Sequence, residues 1–180
     1  MTRATTFEQG VGEAITARTA TGIFIVHGHD DGMKEAVARF IEKLGLTATI
    51  LNESAPKSQT LIEKLEKKAG ACCFAVVLLS PDDLCCATNS STKSPRARQN
   101  VVFEMGFFFS HLGRDNVLVL RKAGVEGLSD TDGIEYVPWE KAEWRMKLAA
   151  SMREAKVPIS EERLLAALGL ADRHAISKPT

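Results

Sequence analysis

Cys73-Phe74-Ala75-Val76-Val77-Leu78-Leu79, followed at once by Ser80-Pro81-Asp82-Asp83, is the stretch on which the fold turns. An apolar run this short, with no polar residue inside it and turn residues behind it, reads as a strand covered on both faces. Such a strand belongs near the middle of a parallel sheet. A second run of the same kind, Ile23-Phe24-Ile25-Val26, ends at the polar turn His27-Gly28-His29-Asp30. Thr47 to Leu51 alternates more and reads as a strand nearer an edge.

Between these strands lie helical patterns. Met33, Val37, Phe40, Ile41 and Leu44 form one apolar stripe, which Gly45 ends. Thr60 and Glu63 stand at capping-box spacing before Leu61, Ile62, Leu65 and Ala69. Beyond Leu79, residues 84–98 read as a long polar connection, and a helix covers about 98–112 up to Gly113. Val117 to Leu120 and Ile134 to Val137 supply two further strands. A helix over 141–156 carries Trp144, Leu148 and Met152 on one face, with both tryptophans read as core or lid residues. Pro158 breaks it before a short helix at 160–168. Strands alternating with helices imply parallel pairing through right-handed crossovers, with helices on both faces. The expected architecture is a flavodoxin-like, five-stranded doubly wound α/β sheet. Its expected limits are residues 22–157. A weakly structured arm (1–21, with Phe7, Val11 and Ile15 at helical spacing) would precede it, and a short helix and tail (158–180) would follow.

Composition narrows the function classes. Lys and Arg number 23, as do Asp and Glu, so no net field favours nucleic acid or a membrane surface. No apolar run is long enough to span a bilayer, and the first residues lack the layout of a signal peptide. A cytoplasmic protein is expected. The four cysteines fall in two adjacent pairs, Cys72–Cys73 and Cys85–Cys86, a spacing unlike the common zinc patterns. Buried, reduced thiols and no metal are expected.

Ligands of doubly wound sheets bind beyond the carboxyl ends of the strands. Those ends carry His27, Gly28, His29 and Asp30, then Asn52 to Ser54, then Ser80, Asp82 and Asp83, then Arg121 and Lys122. No phosphate-binding glycine motif is present, so a nucleotide would have to be met by side chains or helix N-termini. Arg96 and Arg98 stand at a helix N-terminus, against the macrodipole, where an anion would relieve the conflict. The alternative is a solvated arginine pair on a loop. His27 and His29 are either wall residues or substrate contacts.

Within Pro95 to His111 (PRARQNVVFEMGFFFSH) one acid, Glu104, interrupts an otherwise apolar segment. Burying an ionised carboxylate is costly unless donors or a ligand meet it. Helical spacing places Asn100, Glu104, Phe107 or Phe108, and His111 on one face. A carboxylate with an amide one turn earlier suits a ribose diol, or an oxocarbenium ion formed as a glycosidic bond breaks. A structural carboxylate tying down a loop is the other possibility.

FIVHGHD, LLSPDDL, PRARQNVVFEMGFFFSHLGR and LSDTDGIEYVPW together resemble a bacterial TIR-like domain of the CD-NTase-associated or Pycsar effector type, a group also described as nucleotide-binding proteins. The resemblance covers about Gly22 to Lys156. It implies cleavage of NAD+ at the nicotinamide–ribose bond, with Glu104 as the catalytic acid. It also implies a pocket lined by His27, Gly28, His29, Asp30, Asp82, Asp83, Arg98, Asn100 and Asp132. NAD+ would be the substrate, with no separate cofactor. Such domains are commonly fused to a cyclic-nucleotide sensing module that drives self-association, in antiphage or suicide responses. Neither flank here is long enough for one. The expectation is a piece of a longer protein or a domain assembled by a partner, nearly inactive as a monomer. A non-catalytic scaffold and a nucleoside deoxyribosyltransferase-like enzyme are the competing expectations.

Overall fold

A computed structural model describes residues 22–51, 60–86, 88–89, 91–128 and 133–170. The expected arm at 1–21 lies outside them. Strands β1 (Gly22–Val26), β2 (Thr47–Ile50) and β3 (Cys72–Leu79) alternate with helices α1 (Asp31–Lys43) and α2 (Leu61–Ala69). A hairpin follows, β4 (Asp83–Cys85) and β5 (Ser94–Arg96), then α3 (Gln99–Leu112). The chain continues as β6 (Val117–Arg121), β7 (Tyr136–Pro138), α4 (Trp144–Glu154) and α5 (Glu161–Ala167). The main sheet has the order β2-β1-β3-β6-β7 and every pair in it is parallel. That is the flavodoxin-like strand order, with β3 central and β2 at an edge.

Strict alternation along the central strands builds two cores. Ile23, Ile25, Phe74, Val76, Leu78, Leu118 and Leu120 face α1 and α4. Phe24, Val26, Ala75, Val77, Leu79 and Val119 face α2 and α3. With both faces covered, β1 and β3 have no wet side, which is why they read as continuous apolar runs. The α1 stripe is buried throughout, from Met33 to Leu44. Thr60 and Glu63 close a reciprocal capping box on α2. Trp144 is a core residue, edge-on to Phe40 at 5.5 Å and stacked on Trp139 at 5.0 Å. Leu164, Ala167 and Leu168 bring α5 onto the same core. No helix among the described residues is long and apolar enough to cross a membrane.

Three expectations need correction. The connection at 84–98 is not a plain loop: β4 and β5 pair antiparallel, Asp83 opposite Arg96 and Cys85 opposite Ser94. Strands of three residues, one containing Pro95, show no usable periodicity. The last strand lies at Tyr136–Pro138, later than 134–137. A proline is tolerated there because β7 is an edge strand, and Trp139 N–H, one residue on, donates to the Arg121 carbonyl at 3.0 Å. Helix α4 begins at Trp144 rather than Lys141, after a turn closed by Trp144 N–H on the Lys141 carbonyl (3.1 Å).

The cysteines are free thiols, but only Cys72 is buried as expected; Cys73 and Cys85 are half-buried and Cys86 is exposed. Burial raises the thiol pKa values of Cys72 and Cys73, which keeps them protonated at neutral pH and poorly nucleophilic.

Phe108 ties α3 to β1: it is fully buried, with its ring 4.5 Å from that of Phe24. Denaturant titration is expected to show that Phe108→Ala loses about 3–5 kcal/mol of stability. The exposed neighbour Phe103→Ser should change it by less than about 0.5 kcal/mol.

Candidate active site at the carboxyl edge of the sheet

Asp82 organises the rim beyond β1 and β3. Ser80 is buried, so its hydroxyl needs a partner, and Ser80 Oγ donates to Asp82 Oδ1 at 3.0 Å. The same oxygen accepts the backbone N–H of His29 at 3.2 Å, across from the β1–α1 turn. Asp82 N–H closes a tight turn on the Ser80 carbonyl at 2.8 Å. A Cβ added at Gly28 would stand 1.7 Å from Asp82 Oδ2, so only glycine lets the carboxylate sit against the turn.

The remaining residues of that turn are also engaged. His27 Nδ1 donates to the Gly28 carbonyl at 2.7 Å. Asp30 is the N-cap of α1, Oδ1 accepting from Met33 N–H at 2.9 Å, and its other oxygen pairs with Lys122. Burial works to raise the Asp30 pKa. The Lys122 ammonium and the N–H groups of Met33 and Gly32 outweigh it, so the carboxyl lies below its ordinary value. Arg98 reaches the turn from α3 and contacts His29 Nε2.

Neither arginine before α3 is solvated on a free loop. Arg96 makes a bidentate pair with Glu126, at 2.6 Å from Nε and 3.0 Å from Nη2, while Glu126 N–H donates to the Pro95 carbonyl at 2.9 Å. Hydrogen bonding to Arg96 holds the Glu126 carboxyl below its usual range. Glu126 belongs to a loop with no motif, and nothing in its sequence context marks it as a partner for Arg96.

Glu104 is buried, 9% exposed, on the core-facing side of α3 with Val101, Met105 and Phe108. Asn100 and His111, one turn before and two turns after Glu104 on the same side of the helix, are exposed, and the His111 ring stacks on Phe107 at 5.3 Å. From Arg98, Glu104 lies about 9 Å along the helix axis. A cavity of about 320 Å³ opens beside the same helix, lined by Leu79, Ala97, Val102 and Leu128 with the Arg96–Glu126 pair. Val102 and Glu104 are two positions apart, roughly 160° around the helix, so this cavity is on the flank away from the acid.

Of the residues singled out from sequence, His27, Gly28, His29, Asp30, Asp82 and Arg98 are thus brought into one bonded cluster. Asp83 stands apart in β4, opposite Arg96, and Asp132 lies outside the described residues.

Comparison with known proteins bears on what this rim serves. The family model described as "CAP12/Pycsar effector protein, TIR domain" matches residues 22–141, the span that supplies the sheet through β7 and the whole bonded cluster. The chain belongs to the CAP12/Pycsar effector TIR domain family. It is 45% identical to uncharacterized protein YuaY of Escherichia coli (strain K12), over 81% of this chain and 49% of that protein. Protein tirC of Dictyostelium discoideum is 38% identical over 54% of this chain and 51% of its own length. Pycsar effector protein BcPycTIR of Burkholderia cepacia is 36% identical over 43% of this chain and 26% of its own. The aligned part of this chain therefore spans about half or less of each of these relatives.

Two outcomes follow from the TIR domain's rim. Because the folded Asp30 carboxyl has a depressed pKa, its contribution to stability is present above the unfolded-state pKa and is lost as pH falls through the folded one. Asp30→Asn keeps a capping side chain but removes the charge. Its stability should fall less steeply than the parent's between about pH 5 and pH 1, measured by urea unfolding at each pH. Gly28→Ala should cost about 1–3 kcal/mol through overlap with Asp82. The same change should cost less in an Asp82→Ala background, a coupling that a double-mutant cycle reads directly.

Proposed function

We propose that this TIR domain is a hydrolase that cleaves NAD+ at the nicotinamide–ribose bond, with Glu104 as the acid that stabilises the transition state. The observation that carries this reading is the burial of Glu104 among Val101, Met105 and Phe108. A carboxylate in low-dielectric surroundings is held there at a cost, and that setting strengthens its attraction for a developing positive charge. Membership in a TIR effector family supports the same reading.

In the reaction the C1′–N bond breaks, and its electron pair leaves with the nicotinamide nitrogen, which becomes neutral. Positive charge develops on the ribose as an oxocarbenium ion, which the Glu104 carboxylate stabilises. Water then adds to C1′ and gives up a proton to solvent, leaving ADP-ribose. Activity depends on self-association, with the trigger supplied by a sensing module or partner outside the residues described. The role is that of an effector whose loss of NAD+ halts the cell.

Nicotinamide release from NAD+ should rise more than linearly with concentration or artificial clustering of the protein. Glu104→Gln, with an unchanged circular dichroism spectrum, should lower it by about 100-fold or more. A variant that turns over like the parent, under conditions where the parent is active, would remove Glu104 from the reaction. Base exchange on deoxynucleosides with NAD+ left intact would replace hydrolysis by a transferase activity.

A further inference from the structure

The cavity of about 320 Å³ on the flank of α3 away from Glu104 has no part in the reaction proposed above. Its volume stands at the lower end of the roughly 300–1,000 Å³ range of small-ligand pockets. The walls are aliphatic and come from separate parts of the chain. Leu79 ends β3, Ala97 and Val102 flank the start of α3, and Leu128 belongs to the β6–β7 connection. Leu79 is 2% exposed, so the cavity reaches down to the end of the sheet. The wall formed by the β6–β7 connection is fastened in place: Lys122 N–H donates to the Leu79 carbonyl at 3.0 Å and Glu126 N–H to the Pro95 carbonyl at 2.9 Å. A wall fixed in advance costs a ligand little ordering on entry.

Its polar groups are few and differ in kind. Arg96 and Glu126 neutralise one another through two hydrogen bonds. Gln99 is exposed, and its side-chain amide makes no hydrogen bond among the described residues. An amide offers donors and an acceptor together, the complement of a nucleobase edge. Arg121 supplies a charge. It is paired with Leu79 in the sheet, and alternation along β6 puts its side chain on the face of Val119, the face that α3 covers. There its guanidinium lies over the Tyr136 ring, 4.6 Å from the centroid, and against Gly127, a residue of the cavity wall. A Cβ added at Gly127 would stand 2.7 Å from Arg121 Nη1. Among the described residues no carboxylate pairs with Arg121. Asp83, opposite Arg96 across the hairpin, does not line the cavity. A cation without a counter-charge, set just behind a side-chain-free stretch of wall, gives an otherwise apolar cavity one positive end.

We propose that this cavity is a ligand site in its own right, apart from Glu104, for a heteroaromatic ring joined to an anionic group, the chemistry of a nucleoside monophosphate. The ring occupies the space between Val102 and Leu128 with its polar edge at Gln99, and the anionic group meets Arg121 past Gly127. Aliphatic walls reward burial of the ring in proportion to the area removed from water, while Arg121 selects for the charge.

Titration of the ¹⁵N-labelled full chain with AMP, adenosine and inorganic phosphate, followed by amide chemical shifts, tests the site without reference to activity. AMP should give saturable shifts centred on Ala97, Val102, Gly127 and Leu128. No saturable shift at millimolar AMP, or shifts centred instead on His29 and Asp82, overturns the proposal. Adenosine should shift the same amides more weakly, and phosphate binding as tightly as AMP overturns the role of the ring. Arg121→Gln should weaken AMP by about tenfold, the change expected on losing one hydrogen bond to a charged group, and leave adenosine unaffected. Equal weakening of both overturns the role of Arg121. Val102→Phe, which fills the cavity, should abolish the shifts from both ligands. Gln99→Ala, at an exposed position where the fold tolerates change, should weaken both by about fivefold. Unchanged binding in these two variants overturns the site. None of these readings depends on NAD+ being cut, so a chain that binds AMP here and leaves NAD+ intact would lose the hydrolase role and keep this site.

Discussion

Burial of β1 and β3 on both faces is the constraint from which the site follows. A strand with no wet side cannot carry a polar side chain along its length, so polar residues collect where it ends. Here the burial runs one residue past β3, to Ser80, which is 1% exposed. A buried hydroxyl demands a partner, and Asp82 supplies it two residues later. The same oxygen takes the His29 N–H, so the partner that satisfies one strand end also fastens the neighbouring one. Gly28 completes the arrangement by leaving room for the carboxylate.

Glu104 is the exception to that rule, a carboxylate on the face of α3 that otherwise contributes Val101, Met105 and Phe108 to the core. A glutamine there would be isosteric and far less costly to bury. In the NAD+-cleaving role proposed above, that acid meets the positive charge that develops as a pyridinium leaves the ribose carbon. The adjacent cavity lined by Val102 holds a carboxylate, Glu126, that is already engaged by Arg96, and so has the weaker claim to the chemistry.

What could be read from the sequence was what is locally encoded. The five strands, the α1 stripe and the Thr60–Glu63 capping box each depend on residues within a few positions of one another. The hairpin was missed because strands of three residues leave no periodic trace and Pro95 argues against one. The bonds that shape the site were missed for another reason. Arg96 with Glu126, Arg98 with His29 and Asp30 with Lys122 join residues distant in sequence, and charge alone leaves many pairings open. Spacing places Asn100, Glu104 and His111 on one side of α3, but the burial of Glu104 between two exposed ends of that side depends on what packs against the helix.

The two arginines before α3 end with different electrostatic standing. Each opposes the helix macrodipole, and each is held by a different loop. Arg96 meets a carboxylate, so its charge is neutralised where β5 joins the β6–β7 connection. Arg98 meets an imidazole, which orients the guanidinium without cancelling it. Arg96 thus serves to fix a loop, while Arg98 keeps its positive charge at the rim, adding to the positive end of the helix. A substrate with a pyrophosphate, such as the one proposed, would find its complement at Arg98 rather than at Arg96. His29, whose main chain is fastened to Asp82, is the neighbour that keeps Arg98 at the rim, where it can meet that charge.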